Sequence, residues 1–564
     1  MKRQTLTGIA CLALAGSLMT SCDLLKDLEY TVTPTPLEMH GDSVRVKVDV
    51  QFPAKGIRKK VSAEIQPMLG ETALKSITVQ GEKATGNGSV IQYKSGGRVT
   101  YYDVVPYQPS FEDTKLTITG TVYKGGKEKD KFGPKEIGQG TIITPLLVNN
   151  DFKVIMEKDN FNRVTQESYS ATINYDKGRS VVKASELKDA DMMTLLAWFE
   201  KAQGDAKIKL NAINITGYAS PEGEQGKNDN LSNERAEAGK EATMKLAKKA
   251  GYEAAQGEVY TLIGKGEDYD GFKVELQKSE MNEDDKNLVI RVLEMHKDPV
   301  TREEEMRNMG KTFTYLDKNI FPKLRRSAIT IGYDQTGYTD EELKNLASTT
   351  PEKLTLEEML FAATLLEDLN AKLKVYKAAQ AKFPNDHRAF NNAGGVLFMQ
   401  NKMAEAKAEF EKAVNINDNP IAKNNLGAVA GVAGDRELAA TLLKQGKGSG
   451  SENSYNMGIL NILDGKYAEA VTNFGSENTF NKALAQLLNE SFEASVRTIN
   501  GSADKESAQG YYLKAIAAAR QDNAADAVSN LKSAIEKDGA MKEKAASDKE
   551  FLKMAEDANF TSLM

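Results

Sequence analysis

The stretch GYASPEGEQGKNDNLSNERA, Gly217 to Ala236, decides how the middle of this 564-residue chain is read. Just ahead of it, KIKLNAINIT (Lys207 to Thr216) alternates apolar and polar residues with the period of a strand. Glycines then bracket a polar loop that leads to a helix expected over Asn233 to Ala250, with Asn228 just ahead of Leu231-Ser232 and Arg235 one turn further on. Strand, polar loop and helix in this order bring backbone donors and a guanidinium to one junction, a setting that suits an anion.

Working outward, the same alternation of strand and helix continues. Ser170 to Asp189 reads as a strand, a turn and a helix entry, and MMTLLAWFEKAQ (Met192 to Gln203) has helical apolar spacing. After the quoted stretch come a strand, Glu258 to Asp268, a charged helical region, Phe272 to Met309, and a closing strand, Arg325 to Tyr333. This predicts an α/β domain over 151–335.

On the N-terminal side the pattern is β-like. Val44 to Phe52, Ser62 to Leu69, Arg98 to Tyr107 and Lys115 to Tyr123 each alternate with period two, and the turn-rich runs GEKATGNGS and KGGKEKDKFGPKE separate them. Short strands spaced by such turns predict a β-sandwich over 23–150.

On the C-terminal side, from Thr339 onward, helical periodicity takes over and repeats emerge. Phe390, Ala393, Gly394, Leu397, Ala406, Phe410 and Ala413 form one unit. Leu426-Gly427 with Ala439, Met457-Gly458 with Ala470 and Phe474, and Tyr511 with Ala515, Ala527, Leu531 and Ala534 form others. The small residues let paired antiparallel helices approach, and neighbouring pairs bury each other's faces. The units resemble tetratricopeptide repeats, with W-x2-L-G-x2-Y relaxed to F-x2-A-G-x2-L, and predict an all-α solenoid over 339–564.

The N-terminus reads as a processing segment over 1–22. Lys2-Arg3 is followed by a mostly apolar run, Gly8 to Met19, and Thr20-Ser21 precede Cys22. Small residues before a cysteine resemble the lipobox of bacterial lipoproteins, which implies lipidation of Cys22; the alternative is an ordinary signal peptide that happens to carry a cysteine. The only other cysteine, Cys11, lies inside this segment, so the processed chain has no disulfide partner for Cys22.

The central segment resembles OmpA-like peptidoglycan-binding domains, whose turn T-D-x-x-G precedes N-x-x-L-S-x-x-R-A. Asn228, Leu231, Ser232, Arg235 and Ala236 match in register with Gly223, Gly264-x-Gly266-Glu267 resembles the family's G-x-G-E, and Arg325-Arg326 stand where its paired arginines do. The resemblance implies a pocket for the carboxylate of a stem peptide formed by Ser220, Glu222, Asn228, Arg235 and Arg326, with Arg235 supplying the bidentate fork. Ser220 replaces the family's Asp. Either Glu222 substitutes for that carboxylate, or Ser220 makes a neutral hydrogen bond in its place, or the pocket has lost its ligand and kept its fold.

Other chemistry finds little footing. A net charge of −6 and a pI near 5.6 argue against nucleic acid. His40, His296 and His387 are scattered, so no metal-ligand spacing exists, no cofactor motif is present and no catalytic residue is expected. The fold class expected is therefore multidomain α+β: an N-terminal β-sandwich, a central OmpA-like α/β domain and a C-terminal tetratricopeptide-like solenoid. The function expected is that of a non-enzymatic outer-membrane lipoprotein on the periplasmic face, attached to the membrane by its lipid. It tethers the envelope to peptidoglycan and recruits an outer-membrane protein complex through the repeats. The alternative is a scaffold or accessory subunit of an assembly, export or pilus machine with the wall-binding pocket lost.

Overall fold

A computed structural model describes residues 24–564. The expected signal segment and Cys22 lie outside the described residues. Two compact units emerge, one formed by the chain up to Lys158 together with Leu366–Met564, the other by Asp159–Leu365. The β region and the helical repeats therefore share one unit, and the boundary expected at 339 falls inside the other.

The first unit begins with a five-stranded and a six-stranded sheet. Strand Ser43–Phe52 turns Val44, Val46, Val48, Val50 and Phe52 inward, and strand Val61–Leu69 turns Val61, Ala63, Ile65 and Leu69 inward. With Leu116, Ile118 and Val122 these residues form one core between the sheets, as period-two alternation requires of a sandwich. One expectation is corrected. The run KGGKEKDKFGPKE is not only a separator: Lys127–Gln139 is a strand paired antiparallel with Lys115–Lys124. Gly125 and Gly126 both have positive φ and make the tight turn between them. Most of this strand is exposed, so its charges reflect solvation rather than loop structure.

The second part of this unit is a solenoid of antiparallel helices starting at Leu369–Lys382. Helix His387–Met399 packs on Met403–Ile416, Pro420–Val432 on Arg436–Gln445, Ser451–Leu463 on Tyr467–Asn473, and Ala508–Ala519 on Ala524–Lys537. A Cβ on Gly394 would stand 2.7 Å from the Phe410 ring, and one on Gly458 2.6 Å from that of Phe474. The repeat glycines therefore sit where one helix of a pair presses on the other. A further pair, Phe480–Leu488 with Phe492–Asn500, escaped the sequence reading because Ala483 stands in for the repeat glycine. The sandwich docks on this array through His40 against Tyr467, whose rings are 5.0 Å apart, and through Thr144, which donates to Glu550. Arg520 grips the same Glu550 carboxylate at 2.6 Å.

The other unit holds a four-stranded sheet in the order Val164–Asn174, Arg326–Thr336, Ile208–Ala219, Tyr260–Glu267. The first three strands are antiparallel neighbours and the last pairs in parallel. Helices Ala190–Gly204 and Gln225–Lys249 pack Leu195, Phe199, Ala236 and Leu246 against Ile213, Ile215, Ile329 and Ile331. Short helices from Tyr269 to Leu324 build a second small core around Phe272, Leu316 and Phe321. Helices Asp340–Thr349 and Leu356–Thr364 belong to this unit, and Phe361 stacks on Phe161 at 4.6 Å.

Candidate functional site: an asparagine ladder and the loop after Ala219

Helix Gln225–Lys249 starts eight residues before the expected Asn233, so Asn228, Leu231 and Ser232 lie on it and not ahead of it. The N–H groups of Lys227 and Asn228 already donate to Glu224 O, both at 3.0 Å, and are spent on the helix. Its side-chain amide donates to Ser220 O, Gly223 O and Glu267 Oε1 at 3.1, 3.0 and 2.8 Å, stapling the loop shut. Ser232 Oγ accepts from Gly266 N–H at 2.9 Å and ties the helix to the end of the parallel strand. Gly217 is needed because a Cβ there would lie 1.9 Å from Ser232 O.

Arg235 is 1% exposed. Its Nε donates to Arg179 O at 3.0 Å, Nη1 to Tyr218 O at 2.8 Å and Nη2 to Asp176 O at 3.2 Å. Burial lowers its pKa to about 10, which leaves it charged at neutral pH. A guanidinium spent on three main-chain carbonyls holds a loop to a helix and presents no open fork to an anion.

Ser220 and Glu222 do meet an arginine, and it is Arg325. Its Nε donates to Ser220 Oγ at 3.2 Å and to Glu222 Oε1 at 3.0 Å, and its Nη2 reaches the same Oε1 at 2.7 Å. Arg326 points elsewhere, pairing with Asp268 at 2.6 Å and lying over the Tyr218 ring at 4.5 Å. The expected five residues are thus neighbours in the fold without converging on one cavity. Glu222 Oε2 is buried and has no hydrogen-bond partner among the described residues.

The other site was not anticipated. Between the sandwich and the central unit, Asn149–Glu157 has no regular secondary structure and runs extended along the solenoid. Asn481 accepts the N–H of Asn149 and donates to its carbonyl, both at 2.8 Å. Asn456 does the same for Lys153 at 2.7 and 2.7 Å, Asn425 for Ile155 at 2.7 and 2.8 Å, and Asn392 for Glu157 at 2.7 and 2.8 Å. Each of these asparagines is essentially buried and projects from the first helix of its pair. A carboxamide carries donor and acceptor side by side, and an extended backbone offers the complementary pair on every second residue.

Neighbouring asparagines hold the ladder in place. Asn425 Nδ2 donates to Asn391 Oδ1 at 2.8 Å, Asn424 Nδ2 to Asn425 Oδ1 at 3.1 Å, and Asn456 Nδ2 to Asn424 Oδ1 at 3.1 Å. Side chains of the strap enter gaps left by glycines: the Phe152 ring would be 2.5 Å from a Cβ on Gly431, and Met156 Sδ 2.3 Å from one on Gly395. Lys153 lies over the Tyr455 ring at 3.9 Å, and Tyr455 donates to the Asp151 carboxylate at 2.8 Å. Burial raises the Asp151 carboxyl above its ordinary value, against the hydrogen bonds from Tyr455 and Asn481 that lower it. The sequence did carry a signal for this site: Asn392, Asn425, Asn456 and Asn481 each stand two positions before the small residue of their repeat, Gly394, Gly427, Gly458 and Ala483.

No protein-family model matches the chain, and no curated protein matches it in sequence. Solved structures do show similarity. One is YrrB, described as a TPR protein with an unusual peptide-binding site, at 20% identity and TM-score 0.23, covering 37% of this chain and 99% of that one. A second is a tetratricopeptide repeat protein from Parabacteroides merdae, at 14% identity and TM-score 0.28, covering 43% and 98%. A third is yeast Tom70, at 14% identity and TM-score 0.25, covering 67% and 77%.

Proposed function

We propose that this chain is a non-catalytic scaffold of the bacterial cell envelope, carried on the outer membrane by a lipid at Cys22, whose helical repeats engage an outer-membrane protein complex. The observation that carries it is the ladder, in which four buried asparagines take both main-chain hydrogen-bonding groups of Asn149, Lys153, Ile155 and Glu157 of an extended segment. Such a surface handles polypeptide main chain. The sheet order of the central unit, with its strand, loop and helix at Ile208–Lys249, supports an OmpA-like reading of that unit. The commitment of Arg235 to carbonyls favours the form of that reading in which the wall pocket has lost its ligand. The test is sedimentation of the lipid-free processed chain with purified peptidoglycan, beside cross-linking in intact envelopes. Scaffolding alone predicts no saturable sedimentation and specific cross-links to an outer-membrane protein; saturable sedimentation without such cross-links overturns it.

One atom favours a second reading, a tether to peptidoglycan through the central unit. The buried Glu222 Oε2 has no hydrogen-bond partner among the described residues, and its carboxylate is paired with Arg325; with the covering loop displaced, that pair would suit the ammonium and carboxylate of a diamino acid. On this reading Glu222→Gln abolishes peptidoglycan retention, and Arg235→Ala lowers it through the loop that Arg235 supports. Retention unchanged in Glu222→Gln removes this reading.

A further inference from the structure

We propose that Asn149–Glu157 is an intramolecular ligand, and that when it is withdrawn the same groove binds an extended segment of a partner polypeptide. This deepens the scaffold reading and rests on it. Much of the groove's organisation comes from the solenoid itself. Asn391 is hydrogen-bonded to Asn392 and Asn425, Asn424 to Asn425 and Asn456, and Asn481 to the Tyr455 hydroxyl, so these contacts keep the clamping side chains aimed when the bonds that Asn391 and Asn424 also give to Ile155 O and Lys153 O are lost. A preorganised surface is what a binding site needs and what a plain connector does not. The readout is main-chain at Asn149, Lys153, Ile155 and Glu157, groups that any extended chain supplies. Selectivity comes from the alternate positions: Phe152 fits over Gly431 and Met156 over Gly395. The partner segment is therefore extended, with an aromatic residue and, four positions later, a flexible apolar one.

The strap also sets the threshold for exchange. A tethered ligand competes at an effective concentration on the order of mM, so an untethered copy of the same sequence has to reach that range before it displaces the strap. Prolines remove the strap without touching the groove, because proline tolerates an extended backbone and lacks the N–H that each asparagine accepts.

The probe is a fluorescent synthetic peptide of residues 147–158, titrated against the processed chain and against Lys153→Pro/Ile155→Pro. Wild-type protein should bind it only at concentrations on the order of mM, and the proline variant at concentrations at least tenfold lower. Asn425→Ala in that variant should remove the gain. Equal binding by both proteins, or no binding by a proline variant that still unfolds cooperatively, overturns the proposal. Should that variant fail to fold, hydrogen exchange on wild-type protein decides. Strap amides that exchange by an opening separate from the solenoid helices support the proposal, and amides that exchange only on global unfolding overturn it. Peptide binding by the variant together with absent envelope cross-links would leave the groove standing and remove the scaffold role.

Discussion

Truncating Asn425 to alanine is the most direct probe of the ladder. In the folded chain its Oδ1 accepts the Ile155 N–H at 2.7 Å, and its Nδ2 donates to Ile155 O and to Asn391 Oδ1, both at 2.8 Å. The consequences for these groups differ. Ile155 O keeps a second donor, Asn391 Nδ2 at 3.0 Å, and Asn424 Nδ2, which loses Asn425 Oδ1, keeps Lys153 O at 3.3 Å, whereas the Ile155 N–H and Asn391 Oδ1 lose their Asn425 partners. A stranded buried polar group costs roughly 1–3 kcal/mol. Ile155 is only half-buried, so water relieves part of that cost and the total is about 2–4 kcal/mol for the local opening. At about 1.4 kcal/mol per factor of ten, protection of the Ile155 amide should fall roughly 30- to 700-fold. The measurement is native-state hydrogen exchange resolved to single amides. Because the strap has no internal pairing, Lys153 and Glu157 should lose protection along with Ile155, while helix Ala508–Ala519 keeps its own. An unchanged Ile155 amide, or a loss shared equally by the distant helices, would refute the argument that the ladder and not the surrounding fold holds this segment.

Three further outcomes are expected. Gly217→Ala should destabilise the chain by about 1–3 kcal/mol, because its Cβ meets backbone atoms of the facing helix. Gly226→Ala, where a Cβ meets nothing within 4 Å, should be stabilising, and urea unfolding of both variants checks the contrast. For Asp151 the folded-state pKa is raised above the ordinary 3.8. Its favourable contribution is therefore present below 3.8 and lost as the pH climbs through the raised value. Asp151→Asn, which keeps an acceptor for Tyr455, should gain stability over wild type at pH 7 and none near pH 3; equal differences at the two pH values would contradict it. Arg520→Ala leaves Glu550 buried without its guanidinium partner and should cost about 3–5 kcal/mol, seen as a lower thermal midpoint that Arg520→Lys restores only in part.

Period-two runs such as Val44–Phe52 and the small residues at Gly394, Gly427 and Gly458 were legible because each is a local rule written into neighbouring residues. The strand Lys127–Gln139 was not, since a strand exposed along most of its length needs no apolar alternation and reads as a charged loop. Arg235 shows the same limit at the level of a site. Its register in the motif was readable, but whether its five donors face a ligand or three carbonyls depends on where Asp176, Arg179 and Tyr218 end up. The swap of Arg326 for Arg325 beside Glu222 is a one-residue matter of which way a strand entry turns. Strand alternation decides it, and the strand's first residue could not be placed closely enough from sequence.

By itself the sequence determined the three kinds of secondary-structure pattern and their order, because hydrophobic periodicity is a property of residues a few positions apart. Only the tertiary structure decided that the linker Asn149–Glu157 lies in the solenoid's own groove. That pairing joins residues more than two hundred positions apart through main-chain groups, which every residue carries and no residue type announces. The asparagines two places before each repeat's small residue were in plain view, but an asparagine becomes a clamp only when folding aligns four of them along one extended chain.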